Sequence, residues 1–278
     1  MVESAGGAPD LPATQLGYFD DMWQLQASAH VLSVLVEESK IAIIVDCTIL
    51  YPQGGGQPSD KGFILSIDEQ TRFRVEDVRT RDGLVYHYGF FEASDLGNSS
   101  TFQIGQEVIL YVDKSRRQLN SRLHTAGHLI DVCIENIGLS SLQPGKGHHF
   151  PDGPFVEYKG AVPASDIESR RAALEAEANR LVAAGSTVQA AVCSYEEARN
   201  RCGGQLPDYI AKDSKPRIVS IGSSFGCPCG GTHVKDISEI GSMKVSQIRV
   251  KKGLTKVSYN VCICQRTNVP RPSRKKCR

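Results

Sequence analysis

From about residue 14 to residue 113 the apolar positions come in short β-branched runs separated by turn residues, the pattern of a succession of strands. Runs at 31–36 and 41–45 flank Glu38-Ser39, and another covers 62–67. Runs at 73–78 and 84–89 flank Arg81-Asp82-Gly83, a turn signal, and Val108, Leu110 and Val112 alternate. Many short strands joined by Gly and Asp turns predict a small barrel. Then the period changes. Leu119, Leu123, Ala126, Ile130, Cys133 and Ile137 recur at helical spacing, with Ser115-x-x-Gln118 as a capping box in front and Gly138 as a stop behind. A second helix is expected from a Ser165 cap to Ala184, closed by Gly185, and a short one over Tyr195–Arg201, ended by Gly203-Gly204. Strands are expected at 154–158, Val188–Val192 and Arg217–Ile221, with a final hairpin of 242–250 and 255–263 through Lys251-Lys252-Gly253. Residues 143–150 read as a polar, turn-rich connection. Helices mixed with antiparallel strands make the second part, and the chain as a whole, α+β.

The first helix carries Arg122-Leu123-His124-Thr125-Ala126-Gly127-His128-Leu129. Histidines four residues apart on a helix project from one face, so both rings can reach one ion. About a hundred residues later stands Cys227-Pro228-Cys229-Gly230-Gly231-Thr232-His233. Thiolate and imidazole are the ligands zinc prefers, usually four in tetrahedral array. His124, His128, Cys229 and His233 would complete such a set, with Cys227 as the other available thiol. Asp131 is either a carboxylate behind an imidazole or a solvated helix residue. His148 and His149 point to opposite sides if extended, which makes both surface loop residues rather than joint ligands. Earlier in the chain, Thr48-Ile49-Leu50-Tyr51-Pro52-Gln53-Gly54-Gly55-Gly56-Gln57-Pro58 places three glycines where a backbone turns or something approaches it closely.

Together these stretches resemble the editing domain of alanyl-tRNA synthetases and the free-standing alanyl-tRNA editing proteins, over residues from about 15 to 263. In that family a His-[Thr/Ser]-Ala-x-His helix and a Cys-Gly-Gly-Thr-His loop hold one zinc, and a Tyr-Pro-x-Gly-Gly-Gly-Gln motif lies near the pocket. The resemblance implies an N-terminal β-barrel followed by an α+β zinc-binding editing domain. It implies one Zn2+ per chain on His124, His128, Cys229 and His233, because the match fixes the register on Cys229. It implies a substrate-binding loop of Gly54, Gly55, Gly56 and Gln57, and a hydrolase that removes serine, and also glycine, from mischarged tRNA(Ala). Serine differs from alanine by one hydroxyl, and a pocket that hydrogen-bonds it can reject the analogue by ~10⁴ or more. Thr125 is the nearest hydroxyl, either a catalytic-pocket residue with Gln57 or a packing residue. Gly127 stands where many synthetase versions carry threonine, which opens space beside His128. Four protein ligands leave two options open: one loosens to activate water, or the metal positions the substrate. Gln143 or Lys146 would meet the RNA 3′ end.

Composition narrows the rest. Lys+Arg is 32 and Asp+Glu 31 in 278 residues, a net +1, so RNA contact must come from local patches rather than a basic coat. No apolar run approaches a membrane span. Nine cysteines, an odd number at irregular spacing, read as reduced thiols of a cytoplasmic protein. The expected organisation is a flexible leader over 1–13, a barrel domain over 14–113, an editing domain over 114–265 and a basic disordered tail over 266–278, in a monomer. The rival is an RNA-binding or regulatory protein that keeps the zinc as structure only. Threonyl editing lacks the glycine-motif barrel, and a metallopeptidase would need His-Glu-x-x-His.

Overall fold

The computed structural model describes residues 11–37, 40–92 and 101–262. The expected leader up to residue 10, the Glu38-Ser39 turn, the last residue of the final hairpin and the basic tail lie outside the described residues. The chain opens with β1 (Gln15–Leu16), β2 (Gln26–Glu37), β3 (Lys40–Val45), β4 (Cys47–Thr48), β5 (Gly62–Ser66), β6 (Arg72–Arg81), β7 (Leu84–Phe91) and β8 (Glu107–Val112). Six of these close a barrel in the order β2-β3-β7-β6-β5-β8. The alternation fixed its inner face: Val31, Ile43, Ile64, Phe73, Val85, Val108 and Leu110 fill the interior. β1 and β4 form a separate parallel pair beside it.

The second part runs through α1 (Lys114–Asn136), β9 (Gln143–His148), β10 (Phe155–Lys159), α2 (Ile167–Ala184), β11 (Val188–Val192), α3 (Tyr195–Arg201), β12 (Arg217–Ile221), β13 (Cys227–Pro228), β14 (Ser242–Lys251) and β15 (Leu254–Cys262). A four-stranded sheet of order β14-β15-β10-β9 packs on α1 and α2, and β11, β12 and β13 form a smaller sheet. The core between them holds Leu123, Ala126, Ile130, Leu174, Ala178, Val245, Val257 and Tyr259. A bulge between Val245 and Gln247 shifts the strand by one residue, so Ile248 rather than Gln247 turns inward.

Several local expectations change. Asp113, not Ser115, caps α1: its carboxylate accepts from Arg116 N at 3.0 Å. A 3-10 turn at Ala164–Asp166 precedes α2, so Ser165 sits outside the helix and donates to Asp166 instead. Gly138 and Gly185 do end their helices, in the left-handed region at φ 74° and 72°. Residues 143–148 are a strand, not a loop. Edge pairing with β10 holds them extended although Pro144, Gly145 and Gly147 carry no apolar pattern.

One buried ion pair ties α1 to the barrel side. Arg117 and Asp60 are 3% and 0% exposed, and Arg117 Nε donates to both Asp60 oxygens at 3.1 and 2.9 Å. The remaining guanidinium donors reach Met22 O at 2.8 Å and Ile49 O at 2.6 Å. A buried charge pair is tolerated when its donors and acceptors are met in this way.

Candidate metal centre

Helical spacing stacks His124 and His128 one turn apart, their rings parallel at 5.0 Å. The loop after β13 brings Cys229 and His233 against them. One ligand atom from each of His124, His128, Cys229 and His233 lies within 4.8 Å of all the others. Cys229 Sγ is 3.4 Å from His124 Nε2 and 3.4 Å from His233 Nε2. The loop can come this close because Gly231 has no side chain: a Cβ there would overlap the His124 ring and stand 2.9 Å from Gln57 Oε1.

Each ring is held by its other nitrogen. His124 Nδ1 donates to Gln57 Oε1 at 2.7 Å, an oxygen that also accepts Thr232 N at 3.0 Å, while Gln57 Nε2 donates to Thr232 Oγ1 at 2.9 Å. His233 Nδ1 faces Thr125 Oγ1 at 3.2 Å. His128 Nδ1 faces Cys227 Sγ at 3.1 Å. With Nδ1 engaged on all three, the Nε2 lone pairs turn inward, and His128 Nε2 is buried with no partner among the described residues. An orphaned acceptor facing a thiol and two further imidazoles fits a cation, and the donor set is compatible with zinc.

Electrostatics favours neutral donors. Burial, with the neighbouring imidazoles, holds His124 and His233 well below the usual histidine range. Burial alone lowers His128 to about 4. Burial pushes the Cys229 thiol up to about 11, against the opposing pull of Gly231 N–H and Arg217. A bound dication would reverse that last shift, with Cys229 held as its thiolate ligand.

Arg217, on β12 and 5% exposed, clamps the loop by donating Nη1 to Cys229 O and Gly231 O, both at 2.9 Å. The segment before β2 clasps the same loop. Met22 Sδ accepts His233 N at 3.3 Å, and Trp23 Nε1 donates to His233 O at 2.9 Å.

Thr125 is fully buried: its hydroxyl donates to Ser121 O at 2.8 Å and accepts Val234 N at 3.2 Å, besides facing His233. Gln57 is also fully buried, its side-chain amide bonded to His124 and Thr232 and its backbone paired with Gly54. Gly54 and Gly55 are exposed, and Gly56 packs on β9, where a Cβ would run into the Gly147 carbonyl. Gln143 and Lys146 are exposed on that edge strand. Asp131 neither reaches a ligand imidazole nor sits free in solvent, since Tyr158 donates to it at 2.6 Å.

His149 overturns its surface reading. It is 4% exposed, stacks on His124 at 4.4 Å, and donates Nδ1 to the Tyr259 hydroxyl at 2.7 Å, which in turn donates to Leu123 O. Its ring occupies the gap left by Gly127 and Gly147, where added Cβ atoms would fall 2.7 Å from Nδ1 and 2.6 Å from Nε2. His148, by contrast, stacks on Phe150 at 4.5 Å away from the cluster. Missing side chains on facing elements were the available signal, and it needs the fold to be seen.

Residues 13–116 match the family model of class II (A) tRNA synthetases, and residues 217–257 match that of the threonyl and alanyl tRNA synthetase second additional domain. The chain is 30% identical over 244 residues to the alanyl-tRNA editing protein AlaX-L of Pyrococcus horikoshii, covering 87% of this chain and 56% of that protein. Over most of its length the chain is similar to an alanyl-tRNA editing protein. It is also 30% identical over 262 residues to the alanine–tRNA ligase of Halobacterium salinarum, and 31% identical over 258 residues to that of Methanosphaera stadtmanae. It covers 90% and 91% of itself in those matches but only 26% and 27% of the ligases. The chain thus spans about half of its editing-protein relative and about a quarter of the ligases. Among the described residues no helix is long and apolar enough to cross a membrane.

Proposed function

We propose that this protein hydrolyses the ester of tRNA(Ala) wrongly charged with serine, and also glycine, at a centre holding one zinc ion on His124, His128, Cys229 and His233. The observation that carries the reading is the convergence of these four donors within 4.8 Å, in a chain related to alanyl-tRNA editing proteins. A bound zinc ion would supply positive charge to orient a substrate group and draw electron density from the ester carbonyl. The chain's own residues hold that centre in shape. Gln57 fixes the His124 ring and Thr125 the His233 ring, so both act as positioning residues behind the imidazoles. The Gly54, Gly55 and Gly56 turn sets Gln57 in place and offers exposed backbone at the rim for the substrate. Aminoacyl esters are already activated, so a positioned water suffices without a strong base. In this reading residues 14–113 supply the barrel domain, 114–265 supply the donors, and the protein is a cytoplasmic monomer.

The closed four-donor set also suits a structural zinc in an RNA-binding protein. Deacylation of purified seryl-, glycyl- and alanyl-tRNA(Ala) separates the two. The zinc-loaded protein should release serine and glycine and spare alanine. No release from any ester by the zinc-loaded protein would leave the structural reading standing alone. Thr125→Val then tests how the hydroxyl acts. A hydroxyl that orients His233 loses seryl and glycyl hydrolysis together, by roughly one to two orders of magnitude for a contact of ~1–3 kcal/mol. A loss confined to the seryl ester would show instead that Thr125 reads the substrate.

A further inference from the structure

We propose that Trp23 is the platform on which the terminal base of the RNA stacks while its ester sits at the donor cluster. This inference rests on the editing function above. The chain has one tryptophan, and that residue lies outside every core, 40% exposed. Its polar atom is already used, because Nε1 donates to the backbone carbonyl of His233 at 2.9 Å. The bond pins the indole beside a donor residue and leaves apolar ring surface facing water. A purely mechanical strap needs the N–H and gains nothing from exposed ring.

The surroundings match a nucleic-acid end. Lys235, two residues beyond His233, places its ammonium 4.8 Å from the indole centroid. Phe19 lies on the same lead-in segment, beside exposed Gly230 and with the Arg217 guanidinium 5.1 Å from its ring centroid. Aromatic rings interleaved with cations hold single-stranded ends, the base face on a ring and a phosphate on a mobile ammonium. The 3′-terminal ribose links its base directly to the ester. A base on Trp23 therefore puts that ester within one nucleotide of His233, and the Lys235 ammonium beside the indole suits one phosphate.

Because the tryptophan is single, its emission reports this contact alone. The probe is an uncharged RNA hairpin with a short single-stranded 3′ end terminating in adenosine, compared with the same hairpin ending in an abasic residue. The adenosine end should quench Trp23 emission and the abasic end should leave it nearly unchanged. Binding of dye-labelled hairpin to variants, read by anisotropy, should weaken about 5- to 150-fold in Trp23→Ala, the range for one lost base stack. Trp23→Phe keeps a ring and loses the N–H bond, so it should recover most of the binding. Lys235→Ala should reduce the slope of log affinity against log salt by about one phosphate contact. Metal content and melting temperature show whether each variant is folded; if Trp23→Ala is not, the wild-type quenching arm decides. Equal quenching by both hairpins, no quenching by either, or Trp23→Phe binding as weakly as Trp23→Ala each overturns the platform. Deacylation is scored separately: a wild type inactive on seryl ester sinks the editing reading, and base-dependent quenching still decides the stacking site.

Discussion

Gly127 and His149 make a pair of opposite sizes, and exchanging one for a larger residue should show it. A methyl group on Gly127 would stand 2.7 Å from His149 Nδ1 and 3.0 Å from the Tyr259 hydroxyl, the two atoms that bond each other at 2.7 Å. The ring has little room to retreat, because His124 stacks on it at 4.4 Å. Overpacking of this kind costs about 1–3 kcal/mol, and the broken bond adds about 1 kcal/mol. Replacing a helical glycine returns up to about 1 kcal/mol of helix propensity. The net loss for Gly127→Ala is then about 1–4 kcal/mol, and at about 2–4 °C per kcal/mol for a chain of this size the melting temperature should fall by about 2–16 °C. His149→Ala removes the obstacle but leaves a cavity and an unpaired Tyr259. The double variant should place the new methyl in that cavity, so it should lose less than the two single losses combined, with a coupling of about 1–2 kcal/mol. Urea unfolding of the three variants at fixed metal concentration measures the cycle. Additive losses, or a Gly127→Ala protein that melts no lower than wild type, would refute the steric argument.

Other expectations are more direct. Arg117→Met leaves Asp60 as a buried charge without its partner and should cost about 3–5 kcal/mol in urea unfolding; an unchanged midpoint would show that the pair contributes nothing. His87 lies fully buried in the barrel, donating Nδ1 to Ile43 O at 2.9 Å and accepting from the Thr48 hydroxyl at 2.8 Å, and burial lowers its pKa to about 4. Its unfolded value is about 6.5, so its stabilisation is complete above pH 6.5 and declines as pH falls toward 4. The advantage of wild type over His87→Gln should therefore shrink by about 3 kcal/mol across that window, and a pH-independent difference would contradict a neutral buried ring. Protein purified without added metal should carry about one zinc per chain, retained in Cys227→Ala and lost in Cys229→Ala. The reverse pattern would move the sulfur ligand to Cys227.

The barrel was legible because short β-branched runs bounded by Gly and Asp turns read as strands wherever they occur. Val108, Leu110 and Val112 announce their inner face by alternation, whereas Val78 joins Phe73 and Val75 on theirs only through a bulge between Val75 and Asp77. The donor set was legible for a related reason, since a four-residue spacing on a helix puts His124 and His128 on one side before any fold is known. What stayed hidden depends on partners distant in sequence. β9 has no pattern of its own and is a strand through β10. Asp113 and Ser115 both suit a cap, and the chain path between β8 and α1 chose Asp113. His149 looked like loop surface because nothing local reveals that Gly127 and Gly147 leave a slot for it. Gln57 and Thr125 were placed near the cluster from their motifs, but their grip on ring nitrogens appears only once the two halves meet.

The bond between Gln57 and Thr232 joins positions 175 residues apart. A chain made from its N-terminus has the barrel and both helical histidines long before it has the loop that completes the cluster. Closing so distant a contact bears the loop-closure entropy of a 175-residue span, so it belongs among the late steps of folding. Capture of the ion then marks a finished molecule. A chain truncated before residue 233 can hold His124 and His128 in a helix, yet it cannot assemble the centre.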